Sequence, residues 1–348
     1  MPDGSIGGFE PIRSQGDIPL ARRIGVIRNP RSFGNRQTAA AVEPGAAPGV
    51  VLTQPSDRQS LLDTLHGFAA SGIDLVVVNG GDGTLRDVMS ALLAAYPDML
   101  PELAILRAGN TNLAARVLGI NGSGPQALDQ LIEAARTGRL RRQRCAFLEV
   151  AWINQPSRPP LRGFFLGAGA FADAKQIADH QIHRRGVHQG AAVGLTLATT
   201  ILRVLTGRGP IHRGTPISTA IDNRPARDGH KFLLLVTTLD SLMLGLWPFW
   251  GSKSDSGRLT WLEIDAPHRF LPVALPAIVI RQLRDWMPGR IARAVSAIAS
   301  GWGYRSGRAT RLAVRLERPF VLDGEFFEPG PEGVLLTSPG HVTIVIPD

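Results

Sequence analysis

The strongest constraint on the fold is a glycine-rich turn that directly follows a β-branched run. Val76-Val77-Val78 leads into Asn79-Gly80-Gly81-Asp82-Gly83-Thr84, and the residues that follow place apolar side chains at helical spacing. Glycines let successive backbone N–H groups converge on an anion, and a helix N-terminus adds partial positive charge. The pattern therefore predicts a strand, a phosphate-binding turn and a helix. The alternative is an Asp-Gly β-hairpin, which would need a second strand where helical spacing is found.

Asp82 lies inside this turn, where its carboxylate would repel a bare phosphate. A carboxylate at this position can instead orient a water molecule or a magnesium ion that belongs to a nucleotide. We therefore expect Asp82 to act in catalysis and to contact Mg²⁺ through water.

Short apolar strands alternate with amphipathic helices through the first part of the chain. Strands are predicted at 24–28, 50–52, 75–78 and 103–106, and helices at 61–70, 85–95 and 126–136. This alternation is typical of a Rossmann-like parallel sheet covered on both faces, whose ligands bind beyond the carboxyl ends of the strands. Asn29, Gly80 and Gly109 each follow a predicted strand, so a single crevice can collect them.

The pattern changes after a basic run at 139–144, because strands then follow one another mostly without helices. This predicts an antiparallel, sandwich-like second domain, interrupted by helices at about 172–205 and 273–299. We expect a loose leader at 1–20, a nucleotide-binding α/β domain at 21–140 and a β-rich acceptor domain at 141–348. The active cleft is expected between the two domains, and the last strand is free to return to the first domain.

Composition and charge narrow the class of protein. The chain has 348 residues, 44% of them hydrophobic, which is enough for two cores, and its single cysteine excludes an intrachain disulfide. No signal or membrane-spanning pattern is found, which predicts a cytoplasmic location. The net charge is +9, and residues 269–318 hold ten arginines against Asp285 and Glu317.

This basic segment predicts peripheral contact with anionic lipid at the inner membrane face. A solvated helix face is an equally good interpretation of the charge. No nucleic-acid partner is expected, because no recognised nucleic-acid motif accompanies the arginines. The sequence leaves the oligomeric state open, a homodimer included.

Three stretches together resemble one enzyme family. Gly80-Gly81-Asp82-Gly83-Thr84 is similar to the signature of diacylglycerol kinases, sphingosine kinases and, more distantly, NAD kinases. Asn29-Pro30-Arg31-Ser32 and the stretch from Gly109-Asn110-Thr111-Asn112 to Gly119 match the lipid-kinase branch in order and spacing. An NAD kinase is the weaker alternative, because no second Asn-Glu motif of that family follows the Gly80 turn.

The resemblance implies an ATP- and Mg²⁺-dependent lipid kinase that phosphorylates a hydroxyl of a diacylglycerol-like or related lipid. It implies a nucleotide site formed by Asn29, Pro30, Ser32, Gly80, Gly81, Gly83, Thr84, Gly109, Asn110 and Asn112. It also implies that Asp323, in Asp323-Gly324-Glu325, is the catalytic base, with Asp82 and Glu325 as further catalytic residues. As an isolated pattern, Asp-Gly between apolar pairs is equally a hairpin turn.

The lipid is expected to bind between the domains near five aromatic residues: Phe165, Phe171, Trp247, Phe249 and Trp250. Several positions depart from the family pattern. Arg107 replaces the usual Pro, Asn110 the usual Thr, and Asp87 the usual Glu.

Two departures remove acidic residues that relatives use around magnesium. Leu113 replaces an Asp, and Ser256 replaces the second Asp of a pair, so that Asp255 remains as a metal ligand there. A nucleotide- or lipid-binding relative with weakened catalysis is therefore the alternative function.

Overall fold

The computed structural model describes residues 22–37, 48–109, 112–185, 213–242, 247–249, 258–267 and 300–348. Within these residues the chain forms one sheet of six strands and another of eleven. None of the helices in these ranges is long and apolar enough to cross a lipid bilayer. The two sheets form an N-terminal domain and a second domain.

The first domain is a parallel-rich sheet with helices on both faces, which confirms the predicted architecture. Its strands are β1 (Ile24–Arg28), β2 (Val50–Thr53), β3 (Leu75–Gly80), β4 (Glu102–Arg107), β5 (Leu140–Ala146) and β17 (His341–Pro347). Its helices are α1 (Phe33–Gln37), α2 (Arg58–Ala70), α3 (Asp82–Ala95), α4 (Leu113–Val117) and α5 (Gly124–Arg136). The strand order is β2-β1-β3-β4-β17-β5, with β1 to β4 parallel to one another.

Burial on both faces explains why the central strands are continuously apolar. Every residue of β1 and β3 is buried. Helices α2 and α3 cover one face, and α5 covers the other. A capping box starts α2, where Asp57 Oδ1 accepts from the Ser60 N–H and Ser60 Oγ accepts from the Asp57 N–H. The carboxyl ends of the parallel strands consequently meet at one edge of the sheet.

The basic run at 139–144, which the sequence predicted to mark the boundary between the two domains, lies mostly in strand β5. β5 pairs antiparallel with β17 and forms one edge of the first sheet. Leu140 and Cys145 are buried, whereas Arg141, Arg142 and Arg144 are exposed. Charged side chains on an edge strand oppose pairing with another sheet, which accounts for the run. β17 returns near the C-terminus to pair with β4 as well.

The second domain is a large antiparallel sheet, again as predicted. Its strands are β6 (Leu148–Trp152), β7 (Leu161–Gly163), β8 (Phe165–Gly169), β9 (Thr215–Ile221), β10 (His230–Thr237), β11 (Leu259–Asp265), β12 (Tyr304–Ala309), β13 (Arg311–Leu316), β14 (Phe320–Leu322), β15 (Glu325–Phe327) and β16 (Val334–Thr337). Nine strands follow the order β15-β14-β8-β10-β9-β13-β16-β6-β7, and β11 and β12 branch from β10. The sheet curls so that β6, β13 and β16 share one apolar core with β8, β10 and β14.

Part of the helical prediction in this domain lies outside the described residues. Of the helix expected at about 172–205, the described part forms α6 (Ala170–Arg185). The helix expected at 273–299 lies entirely outside the described ranges.

The two domains meet where α3 packs against β7. The Arg162 N–H donates to Ser90 Oγ at 2.9 Å, and Arg162 Nη1 donates to the Ser90 carbonyl oxygen at 2.9 Å. Glu149 Oε2 accepts from Arg162 Nε at 2.9 Å and so holds the arginine in place. These bonds fix β7 against the helix that follows the glycine-rich turn.

Candidate active site

The glycine-rich turn joins a strand to a helix, and not two strands. β3 ends at Gly80 and α3 begins at Asp82, with Gly81 as the N-cap in an extended conformation. No side chain caps this helix. The first N–H groups of a helix have no partner within the helix. The first turn of α3 therefore presents backbone donors and a positive dipole end to an anion.

Close approach of backbones explains the glycines at 80, 81 and 109. A Cβ on Gly80 would lie 2.5 Å from the side chain of Thr84. A Cβ on Gly81 would lie 3.0 Å from Gly109 Cα, and one on Gly109 would lie 2.6 Å from Gly81 Cα. The two turns at the carboxyl ends of β3 and β4 thus cross in direct contact, which only residues without side chains permit.

The turn that follows β1 also contacts the glycine-rich turn. Asn29 Nδ2 donates to Thr84 Oγ1 at 2.9 Å, while Asn29 Oδ1 accepts from the Arg31 N–H at 2.9 Å. Asn29 therefore orients the Thr84 hydroxyl. Pro30 is exposed and Ser32 is half-buried, and both lie in the turn between β1 and α1. Their predicted role toward a nucleotide remains a prediction.

Asn112 braces the loop after β4. Its Oδ1 accepts from the Gly109 N–H at 2.9 Å, and its Nδ2 donates to the Gly109 carbonyl oxygen at 2.6 Å. Asn112 is in the left-handed region with φ 48°, which asparagine tolerates better than most residues. These bonds make it a support for the loop that crosses Gly81. Asn110 lies outside the described residues.

Asp82 links the starts of two helices. Its Oδ1 accepts from the Ala114 N–H of α4 at 3.3 Å. In the part of the chain that the structure describes, no group of three or more His, Cys, Asp or Glu side chains could hold a metal ion. Asp255 and Ser256 lie outside that part, so the metal site expected there stays a prediction.

Asp323 lies in the two-residue turn of a hairpin, and its side chain is buried. It connects β14 to β15 together with Gly324, and both residues have positive φ, 45° and 87°. Its carboxylate is 5% exposed. Oδ1 accepts from the N–H groups of Phe164 at 3.2 Å and Phe165 at 2.9 Å, and Oδ2 accepts from Phe164 at 3.0 Å. The hairpin and the site interpretations are therefore compatible.

The surroundings of Asp323 keep its carboxyl group protonated to unusually high pH. Burial raises its pKa, and the negative charge of Asp82 raises it further. Hydrogen bonds from Phe164 and Phe165 and the charge of Arg86 oppose this, and the pKa is about 7. The charge of Asp82, in the first turn of α3, therefore acts on the Asp323 carboxyl group of the second domain.

The β14–β15 hairpin reaches the first turn of α3. A Cβ on Gly83 would lie 3.4 Å from Glu325 Oε1 and 3.8 Å from Arg86 Nη2. The structure thus brings together Asp82 and Gly83 from one domain with Asp323 and Glu325 from the other.

The aromatic residues expected to receive the lipid pack mainly on one another. Phe165 and Phe171 have ring centroids 5.0 Å apart, and those of Trp247 and Phe249 are 4.8 Å apart. Phe165, Trp247 and Phe249 are buried in one apolar cluster. Trp250 lies outside the described residues.

A cavity of about 200 Å³ lies beside the β14–β15 hairpin. Its walls are mostly apolar and include Phe326, Leu316 and Ala172. Asp173 and Arg318 also line it, and their side chains form an ion pair at 2.8 Å.

Two residues of the site were missed by the sequence analysis. A Cβ on Gly163 would collide with Asp323 Oδ2, so Gly163 makes room for the carboxylate. A glycine inside a strand indicates such a close approach and was a usable signal. Arg86, by contrast, is an ordinary residue on an amphipathic helix, and nothing in its pattern distinguishes it.

Comparison with known proteins identifies the first domain. Residues 23–140 match the family model for the diacylglycerol kinase catalytic domain. The chain is 37% identical over 104 residues to the "Probable lipid kinase YegS-like" of Citrobacter koseri and 39% identical over 67 residues to the "Probable lipid kinase YegS" of Escherichia coli O9:H4. These alignments cover 30% and 19% of this chain. They span 31% and 21% of the relatives, less than a third of their length.

The fold as a whole is similar to a solved structure. A protein of Bacillus anthracis str. Sterne, provisionally named a diacylglycerol kinase, superposes with a TM-score of 0.60 at 16% identity. The superposition covers 93% of this chain and 96% of the other. The resemblance inferred from the three motifs is therefore confirmed: residues 23–140 match the diacylglycerol kinase catalytic domain, and part of the chain is similar to YegS-like lipid kinases.

Proposed function

We propose that this chain is an ATP- and Mg²⁺-dependent lipid kinase that phosphorylates a hydroxyl group of a diacylglycerol-like lipid. The observation that supports this most strongly is that Asp323, which is buried and has a pKa of about 7, belongs to the hairpin whose Glu325 lies beside Gly83 in the first turn of the uncapped helix α3. A carboxylate with a pKa near the working pH is suited to general base catalysis. A helix N-terminus after a glycine turn is suited to phosphate binding.

The residues around the turn fit a nucleoside triphosphate with magnesium. The backbone N–H groups of the first turn of α3 and the hydroxyl of Thr84, oriented by Asn29, are donors for phosphate oxygens. Magnesium in kinase sites is held by one or two carboxylates together with the phosphates, so Asp82 is a sufficient protein partner. When bound, the ion neutralises charge on the transferring phosphoryl group.

Asp323 is proposed to remove the proton from the acceptor hydroxyl. As this proton passes to the carboxylate, the hydroxyl oxygen bonds to the γ-phosphorus, and the bond from that phosphorus to the leaving ADP breaks. Asp323 then gives its proton to solvent. Gly163 and the N–H groups of Phe164 and Phe165 hold the carboxylate in one orientation for this step.

The cavity beside Phe326 supports an acceptor with hydrocarbon chains. Its mostly apolar walls adjoin the hairpin that carries Asp323, so acyl chains there would bring a headgroup hydroxyl toward the carboxylate. The ion pair between Asp173 and Arg318 gives one wall of the cavity a polar site for a headgroup.

A catalytically weakened binding protein is the second candidate. Leu113 stands where relatives carry an acidic residue, which leaves Asp82 with fewer acidic neighbours for magnesium. A wild-type protein that binds ATP but phosphorylates none of a panel of membrane lipids would favour this candidate over the kinase.

Asp323→Asn is expected to lower turnover by roughly two to four orders of magnitude while leaving ATP binding nearly unchanged. The amide oxygen at the Oδ1 position keeps its hydrogen bonds from Phe164 and Phe165, and Asn adopts the same turn, so the variant loses basicity and the bond from the Phe164 N–H to Oδ2. The measurement is transfer of labelled phosphate from ATP to lipid. A variant that turns over at the wild-type rate would refute the assignment of Asp323 as the base.

The same pair of proteins should differ in the pH dependence of stability. The folded-state pKa of Asp323, about 7, lies above 3.8, the ordinary pKa of an aspartate side chain in an unfolded chain. Its contribution to stability is therefore complete below pH 3.8 and is lost as the pH rises through 7. The melting temperature of Asp323→Asn minus that of wild type should increase from pH 5 to pH 8. A constant difference across this range would contradict the raised pKa.

Peripheral membrane contact is proposed to be electrostatic. The segment 269–299 lies outside the described residues, and beyond it Arg305, Arg315 and Arg318 already pair with carboxylates. Binding should consequently depend on anionic lipid and weaken as salt rises. Sedimentation with anionic and neutral vesicles at low and high salt measures this, and equal binding to both vesicles would exclude it.

A further inference from the structure

Arg86 is an unusually buried arginine at the entrance to the glycine-rich turn. It lies one helical turn into α3 and is 8% exposed. Its Nη2 forms an ion pair with Asp87 Oδ1 at 2.8 Å. Its guanidinium carbon lies 4.8 Å from the centre of the Phe327 ring, which belongs to the β14–β15 hairpin. Contacts on two sides therefore hold the guanidinium in one place.

The guanidinium group of Arg86 lies beside the first turn of α3. Helical side chains lean toward the N-terminus of their helix, so a residue one turn in reaches back to its start. Arg86 Nη2 lies 3.8 Å from where a Cβ of Gly83 would be. The guanidinium consequently stands beside the backbone donors that are proposed to hold phosphate.

One end of the guanidinium has no hydrogen-bond partner among the described residues. Nη1 is buried and makes no such bond. A charged buried donor left unsatisfied is costly and uncommon in folded proteins, and it calls for an explanation such as a catalytic role or a bound ion. An anion bound at the first turn of α3 would supply the missing acceptor.

The carboxylates around the glycine-rich turn are negatively charged, so an anion bound there needs a cation beside it. Asp82, Asp323 and Glu325 all lie around the turn, and Asp87 pairs with Arg86 itself. A triphosphate brought among these carboxylates would be repelled, and magnesium compensates only part of the charge. Arg86 lies between the two domains, where the terminal phosphate must meet the acceptor.

We propose that Arg86 donates hydrogen bonds to the γ-phosphoryl group of the bound nucleoside triphosphate and stabilises its negative charge during transfer. This inference depends on the proposed kinase function and assigns to it a catalytic residue. Asp87 and Phe327 are then positioning residues, since they hold the guanidinium toward Gly83.

The competing explanation is that Arg86 only fastens the hairpin to α3 through Phe327. A fastening role and a phosphate contact make different predictions for a ligand without a γ-phosphate. A contact to the γ-phosphate favours ATP over ADP, whereas a fastening role affects both nucleotides alike.

The test is calorimetric titration of Mg-ATP and of Mg-ADP into the wild type and five variants. Arg86→Met and Arg86→Gln should lose about ten- to a hundredfold of the preference for ATP over ADP, which is the size of a charge-assisted hydrogen bond. Arg86→Lys should retain most of it. Arg141→Gln removes an exposed arginine of β5 and should leave the preference unchanged.

Phe327→Leu separates the two explanations, because it removes the ring and keeps the cation. It should retain most of the preference for ATP, whereas under the fastening role Phe327→Leu and Arg86→Met would each weaken ATP and ADP binding alike and leave the preference unchanged. Either Arg86 variant suffices if the other does not fold, as checked by thermal melting. A folded Met or Gln variant with the wild-type ATP to ADP ratio would overturn the inference but leave the kinase proposal standing. A wild type that binds neither nucleotide would overturn both.

Turnover gives a second readout. Arg86→Met should reduce turnover by about a hundredfold or more, as for loss of a donor to a developing charge. It should also move the acid limb of the pH profile to higher pH, because the charge that lowers the pKa of Asp323 is gone. If the acid limb does not move, the Arg86 guanidinium lies too far from Asp323 to contact the γ-phosphoryl group at which that base is proposed to act.

Discussion

The contact between α3 and β7 holds the glycine-rich turn close to the hairpin that carries Asp323. α3 carries the glycine-rich turn at its N-terminus, and β7 ends at Gly163, over which the Asp323 carboxylate lies. Arg162 ties the strand to Ser90 of the helix through both its backbone and its side chain. Because the proposed base and the proposed phosphate site belong to different domains, their separation depends on this short interface.

The arrangement of charges around Asp323 is electrostatically unfavourable. Asp323 is buried near Asp82, and its raised pKa means that ionising it at neutral pH costs stability. A sequence selected only for stability would place a neutral residue there. Functional sites commonly retain such destabilising groups, and the surrounding fold offsets their cost. The two backbone N–H groups that hold the carboxylate show how the sheet limits that cost.

Local patterns were sufficient to predict much of this fold. The valines before Asn79 are apolar without interruption because β3 is covered on both faces, so the strand and its turn could be predicted. The antiparallel second domain was predictable from its strands without intervening helices. Strand β5 was not predicted, because its exposed arginines resemble a domain boundary when its pairing with β17, some two hundred residues later, is unknown.

The residues of the candidate site also fall into those that the sequence predicts and those that it does not. Asn29, Gly81 and Asp323 carry recognisable motifs, and the structure brings their loops together. Arg86 and Gly163 act through neighbours distant in the sequence, namely Phe327 and Asp323. No local pattern could reveal those pairings. The role of Asn112 as a brace for Gly109 also depends on a backbone conformation that the sequence does not specify.

The central claim is that the turn at Gly81 holds the phosphates of ATP, and titration of Mg-ATP into Gly81→Val tests it most directly. The added side chain would fill the space beside the first turn of α3 and press on Gly109, so ATP affinity should fall at least about tenfold. Gly67→Val is the matched control, because Gly67 lies on exposed helix surface with no atom within 4 Å of an added Cβ. Normal binding by Gly67→Val and loss of binding by a folded Gly81→Val is the predicted result. Wild-type affinity in folded Gly81→Val would contradict the account.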